Sequence, residues 1–245
     1  MGYTVTGHPN SFAVAKELGF EGVQVSYETS GPNSLANKAN RQRFADAATQ
    51  SGAGIASLCM GLLNNFPLAT TPEAETWVED CIDAMVDINV DQTLLAFFGK
   101  GDMNEMKEQQ PLAINKLKRL ASIAEKKNKM LAIESYLSAE DHIRMIDSIG
   151  SNAIKVYYDV RNSYNKGYDI FREMELLGKK KMISQVHLKE DDSLLGKGDI
   201  NFTKVAETLS NINYNGWLVI ESSSTGDWRE AQSTNARFVK KVFGI

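Results

Sequence analysis

The chain has 245 residues, 42% of them hydrophobic and 24% charged, which is ordinary globular composition at the length of one large α/β domain. Its 27 basic and 31 acidic residues leave a formal net charge of −4, so it lacks the footprint of a nucleic-acid binder and any polybasic membrane patch, and a small polar molecule is the easier partner. No apolar run approaches the ~18 residues that span a bilayer and no charged-then-apolar leader precedes the first ordered segment, which points to a soluble, cytoplasmic chain with a removed export leader left open.

Short β-branched runs alternate along the chain with longer segments of helical period, the signature of parallel βα units. The first candidate strand, Tyr3–Val5, runs into T-G-H-P-N and so offers His8 near a strand end. Gly22–Ser26 and Gly54–Leu58 follow, the latter leading to Cys59. Thr71-Pro72 fits the cap and first position of a helix on which Trp77, Cys81, Ala84, Met85 and Ile88 repeat at three and four. Neither cysteine sits in a C-x-x-C pair, and both read as buried free thiols. After Thr93–Phe97 comes Gly99-Lys100-Gly101, which lacks the upstream glycine and Ser/Thr of a phosphate-cradling loop and reads as loop-shaping. Ala113, Leu117, Leu120, Ala121 and Ala124 mark the next helix.

The fifth strand, Met130–Ile133, precedes a helix that Ser138 and Asp141 open in the S-x-x-[DE] pattern. On that helix His142, between Asp141 and Arg144, reads as a surface residue. Ile154–Tyr158 and Ile183–Leu188 are the sixth and seventh strands; Gly196-Lys197-Gly198 is again loop-shaping, Asn201 caps the following helix, and Trp217–Ile220 completes eight strands. No Pro-, Gly- or Ser-rich linker divides the chain, so residues 1–245 are expected to form a single domain. Eight βα units in this length favour a closed (β/α)8 TIM barrel over an open doubly wound sheet. The open sheet would want a nucleotide fingerprint, whereas Gly52-Ala53-Gly54 precedes a strand and lacks the third glycine.

In a barrel the chemistry sits where strands end. Strand five runs into Glu134, strand six into Asp159 and strand eight into Glu221, while His187 lies on strand seven. Four adjacent strands would deliver three carboxylates and an imidazole to one end of the barrel. Acids that converge without a cation repel one another, and a divalent metal resolves the conflict. One nitrogen with three oxygens suits manganese, zinc, cobalt or magnesium. The alternative for each acid taken singly is that it caps the next helix.

The segments L-A-I-E-S (131–135), V-Y-Y-D-V-R-N (156–162), V-H-L-K-E-D (186–191), L-G-K-G-D-I-N-F (195–202) and W-L-V-I-E-S (217–222), with the opening G-F-E-G-V-Q-V-S (19–26), closely resemble the sugar phosphate isomerase/epimerase family of xylose isomerase-like TIM barrels. The resemblance implies one divalent metal, manganese foremost, held by Glu134, Asp159, His187 and Glu221. It is similar in particular to the ketose 3-epimerases, in which the two glutamates are also the acid/base pair. It therefore implies proton transfer next to a carbonyl, through an enediolate, on a ketose or related polyol-derived ketone. A homo-oligomer is expected by analogy alone.

Two features depart from the ketose 3-epimerase pattern. Asn162 stands where those enzymes place a substrate-holding histidine, and Asp191, Asp192 and Ser193 stand where they carry an arginine. His8, Tyr136, Asn162 and Lys189 are the candidate substrate contacts, with Phe66, Phe97, Phe98 and Trp228 as aromatic walls. Two rivals remain open: a dehydratase of the inosose or dehydroshikimate type, in which His8, Lys189 or a metal-bound water would protonate the departing oxygen, and a sugar-binding barrel without catalysis. The DNA-repair endonuclease of similar fold needs a histidine-rich trinuclear zinc cluster. The chain has three histidines and net acidity, which argue against it.

Overall fold

The computed structural model describes residues 1–5, 8–222 and 226–245. Eight parallel strands form a closed barrel in sequence order: β1 (Gly2–Val5), β2 (Gly22–Ser26), β3 (Gly54–Met60), β4 (Gln92–Phe97), β5 (Met130–Ser135), β6 (Ile154–Asp159), β7 (Ile183–Leu188) and β8 (Leu218–Ile220). Closure is direct, since β1 pairs with β2 on one side and with β8 on the other. The helices are α1 (Ser11–Glu17), α2 (Lys38–Ser51), α3 (Ala74–Asp87), α4 (Gln110–Lys126), α5 (Ala139–Ile149), α6 (Val160–Asn165), α7 (Ile170–Lys179), α8 (Phe202–Asn211) and α9 (Trp228–Phe243), with α6 and α7 sharing the segment after β6. The (β/α)8 TIM barrel expected from the βα rhythm is the fold. No described helix is long and apolar enough to cross a membrane.

Alternation along each strand sorts its side chains into two cores. Leu95 and Phe97 of β4, Leu131 and Ile133 of β5, Val156 and Tyr158 of β6, Val186 and Leu188 of β7, and Leu218 and Ile220 of β8 point outward into the large core shared with the helices. The intervening residues Leu94, Ala96, Ala132, Tyr157 and Val219, with Ala56, form a second, smaller cluster inside the barrel. The same parity carries inward the side chains two positions further on: Glu134 beyond Ala132, Asp159 beyond Tyr157 and Glu221 beyond Val219.

Ser138 accepts from the Asp141 amide at 3.1 Å and Asn201 from the Lys204 amide at 3.0 Å, so both expected caps are present. Gly196 has φ 76°, and a Cβ there would meet the Phe238 ring at 2.4 Å, consistent with a loop-shaping role. Three readings need correction. The Thr71-Pro72 pair does not open a helix: Thr71 closes a turn on the Pro67 carbonyl, and α3 starts at Ala74 with Glu73 at its N-cap. Cys81 is buried, whereas Cys59 is only partly so. His142 is buried as well, because on α5 it shares a face with Ala139, Met145, Ile146 and Ile149; the charged neighbours that suggested exposure lie on the helix's other side.

Candidate metal centre

Glu134, Asp159, His187 and Glu221 meet at one end of the barrel, each offering a ligand atom, and these atoms all lie within 4.8 Å of one another. Nδ1 of His187 is the hub, 3.1 Å from Glu134 Oε1, 3.6 Å from Glu221 Oε2 and 3.7 Å from Asp159 Oδ2. Glu134, Asp159 and His187 are buried, while Glu221 is partly exposed.

The choice between helix cap and site residue dissolves at Asp159, which is both. Its Oδ1 accepts from the Asn162 amide at 2.7 Å and caps α6. Its Oδ2 faces the cluster, buried and without a hydrogen-bond partner. A buried carboxylate oxygen left without a partner is costly, and a bound cation would supply what it lacks. The donor set and this orphaned oxygen therefore fit a divalent metal.

The electrostatics show the same strain. Burial, reinforced by the charge of Glu134, pushes the Asp159 carboxyl up to about 7. For His187 burial disfavours the cation, yet Glu221, Glu134 and Asp159 together outweigh it and lift the imidazole to about 9. Burial would also raise Glu221, but His187 and Lys189 prevail and hold its carboxyl below the ordinary value. Within the cluster, the imidazole of His187 and the Lys189 ammonium are the groups that face the three acids.

The remaining sequence candidates divide. Lys189 donates to Glu221 Oε2 at 3.0 Å, and Asn162 Nδ2 donates to Glu134 Oε1 at 3.4 Å, so both belong to the cluster's rim. Tyr136 follows β5 and packs against Phe98 with ring centroids 4.7 Å apart, with Lys166 Nζ 4.4 Å from the centre of its ring. His8 is exposed, its Nδ1 accepting from the Asn10 amide, and no described contact joins it to the cluster. Thr6 and Gly7 of the same T-G-H-P-N loop lie outside the described residues. Phe97 is core, Phe66 lies half-exposed against Trp77, and Trp228 is exposed beside Arg229. Where an arginine was missing after the histidine, Arg161 reaches across from α6 to Asp191 at 2.8 Å and Glu190 at 3.2 Å, tying the two loops together.

Sequence reasoning passed over Gln24. This side chain of β2 is buried inside the barrel, with Oε1 3.3 Å from His187 Nε2 and Nε2 donating to Ser57 Oγ and Tyr157 OH. A polar residue flanked by two valines, Val23-Gln24-Val25, was the available signal.

The family model for the xylose isomerase-like TIM barrel matches residues 12–242. The chain belongs to this family. Within it, the chain is similar to a D-psicose 3-epimerase of Enterocloster bolteae, 25% identical over 172 residues; the match covers 58% of this chain and 56% of that protein's length. Among solved structures it is similar to a 3-keto-D-glucoside 4-epimerase of E. coli, with TM-score 0.83 and 14% identity over 98% of both chains. An L-ribulose 3-epimerase superimposes with TM-score 0.81 and 17% identity over 99% of this chain and 94% of the other. At these identities the structural likeness speaks for the fold of the family.

Proposed function

We propose that the chain is a metal-dependent sugar isomerase or epimerase, moving a proton at the carbon beside a carbonyl of a ketose or related polyol-derived ketone. The cluster carries this reading: three carboxylates and an imidazole whose ligand atoms lie within 4.8 Å of one another, with one buried carboxylate oxygen left without a hydrogen bond. The relatives named as sugar epimerases support the substrate class.

Glu134, Asp159, His187 and Glu221 would hold one divalent cation, manganese first and zinc, cobalt or magnesium as alternatives. Bound there, it would draw electron density from a substrate carbonyl and make the adjacent C–H acidic. Glu134 at the end of β5 and Glu221 beyond β8 approach from the two flanks of the four-strand arc. One carboxylate takes the proton from carbon, leaving an enediolate, and the other returns a proton to the opposite face, which inverts that carbon. A single glutamate, with the second proton passed between substrate oxygens, would give aldose–ketose isomerisation instead. Asn162 on Glu134 and Lys189 on Glu221 would orient the two proton carriers, and both, with Tyr136, are the proposed substrate contacts.

The test is incubation of the manganese-loaded protein with a panel of ketoses in deuterated water. Deuterium beside the carbonyl, together with an epimer or aldose, is the expected result; neither exchange nor product across the panel would overturn the proposal. Loss of water to an unsaturated, ultraviolet-absorbing product would assign the chain to the dehydratases. Sugar binding without exchange would make it a binding protein.

A further inference from the structure

The imidazole of His187 lies wholly inside the barrel and has two different faces. Nδ1 looks into the carboxylates, whereas Nε2 faces Gln24 Oε1 at 3.3 Å. A neutral imidazole carries one proton. If Nδ1 is to offer its lone pair to a cation, that proton must sit on Nε2, where it needs an acceptor that burial denies it from water. Among the described residues, Gln24 Oε1 is the acceptor within reach.

The Gln24 amide is itself held in the required orientation. Its Nε2 donates to Tyr157 OH at 2.8 Å and to Ser57 Oγ at 3.0 Å, which leaves Oε1 facing the histidine. Tyr157 braces the assembly twice, since its ring also packs on the His187 imidazole with centroids 4.3 Å apart. Local backbone adjusts to allow this: the β2–β3 register shifts immediately before Gln24, and the β6–β7 register immediately before Tyr157. Irregular ladder positions of this kind re-aim side chains beside sites.

We infer that Gln24 is the positioning residue of the metal centre, fixing His187 as the Nε2–H tautomer so that Nδ1 is presented to a divalent cation, with Tyr157 and Ser57 locking the amide. The inference rests on the proposed metal site and adds a residue from the far side of the barrel to it. Removing partners that orient a ligating histidine lowers metal affinity about 10–100-fold.

The experiment uses Zn²⁺, which is diamagnetic, as probe. With three histidines in the chain, long-range proton–nitrogen correlation spectra of ¹⁵N-histidine-labelled, zinc-loaded protein resolve each ring. Wild type should show His187 protonated at Nε2 and coordinated through Nδ1. By titration calorimetry, Gln24→Met should bind Zn²⁺ about 10–100-fold more weakly, and Gln24→Glu, which keeps an acceptor for Nε2–H, should recover most of the loss. Zinc binding by wild type with Gln24→Met equally tight, or an Nε2 of His187 that carries no proton or itself binds zinc, would overturn this inference and leave the metal site standing. No binding of Zn²⁺ or Mn²⁺ by wild type would instead remove the metal reading and this one with it. The wild-type spectrum decides the tautomer even if Gln24→Met does not fold.

Discussion

Burial of His142 makes a quantitative prediction about acid stability. Its Nδ1 faces the Ser138 carbonyl at 3.1 Å, which can only accept, so the ring proton sits on Nδ1. Nε2 then accepts from Ser135 Oγ at 2.9 Å, while Ser135 Oγ accepts from the Leu137 amide. The network ties the turn after Glu134 to α5, and burial drives the imidazole from 6.5 down to about 4. The unfolded chain takes up a proton below pH 6.5 and the folded chain does not until about pH 4, so this group costs stability progressively as pH falls through that window. Between pH 7 and pH 5 the cost is about 2 kcal/mol, approaching ~3 kcal/mol at pH 4. His142→Phe keeps a ring in the space but leaves the Ser135 hydroxyl without its acceptor, so at pH 7 the variant should be less stable by about 1–3 kcal/mol. The two proteins should then converge as pH falls to 5, wild type losing about 2 kcal/mol more than the variant. Urea unfolding followed by circular dichroism at pH 7, 6 and 5, on chelator-treated protein, measures this. Glu173, which burial raises to about 7, titrates in the same range with the opposite sign; it is present in both proteins and cancels in the difference. Parallel pH profiles for wild type and variant would refute the buried, neutral assignment of His142.

Asp159→Asn separates the two roles of that residue: asparagine still caps α6, so the metal-free variant should unfold within about 0.5 kcal/mol of wild type or above it, having lost a repelling charge. Wild type is expected to melt higher with Mn²⁺, from about 3 kcal/mol of added stability at a hundredfold excess over Kd, and the variant is not; a full metal-induced rise there would remove Asp159 from the ligand set. Glu134→Gln should lower turnover and deuterium exchange by at least ~10²-fold in a metal-replete sample, and unchanged turnover would withdraw its acid/base role.

The barrel and the four cluster residues were legible in the sequence for a physical reason. Strands report themselves through short β-branched runs, and alternation fixes which side of a strand each residue faces, so Ala132 inside implies Glu134 inside. Ser138 and Asn201 were equally readable, since capping is settled within four residues of chain. His142 was misread because its nearest neighbours in sequence are charged, while its environment is set by residues three and four away and by the Ser135 turn. Thr71-Pro72 has the chemistry of a helix start, but the turn from Pro67 claims Thr71 first. At Asp159 the sequence posed a choice that the fold did not force, because the two oxygens of one carboxylate can serve a helix amide and the cluster together. Gln24 required the tertiary structure altogether. It is 163 residues from His187, and only closure of the ring brings β2 across from β7, where a buried imidazole proton needs an acceptor. The sequence determined which side chains reach the mouth of the barrel, because strand parity is local. The closed barrel decided what stands behind them, because partners from opposite strands are matched by distance and hydrogen-bonding demand, which no local pattern encodes.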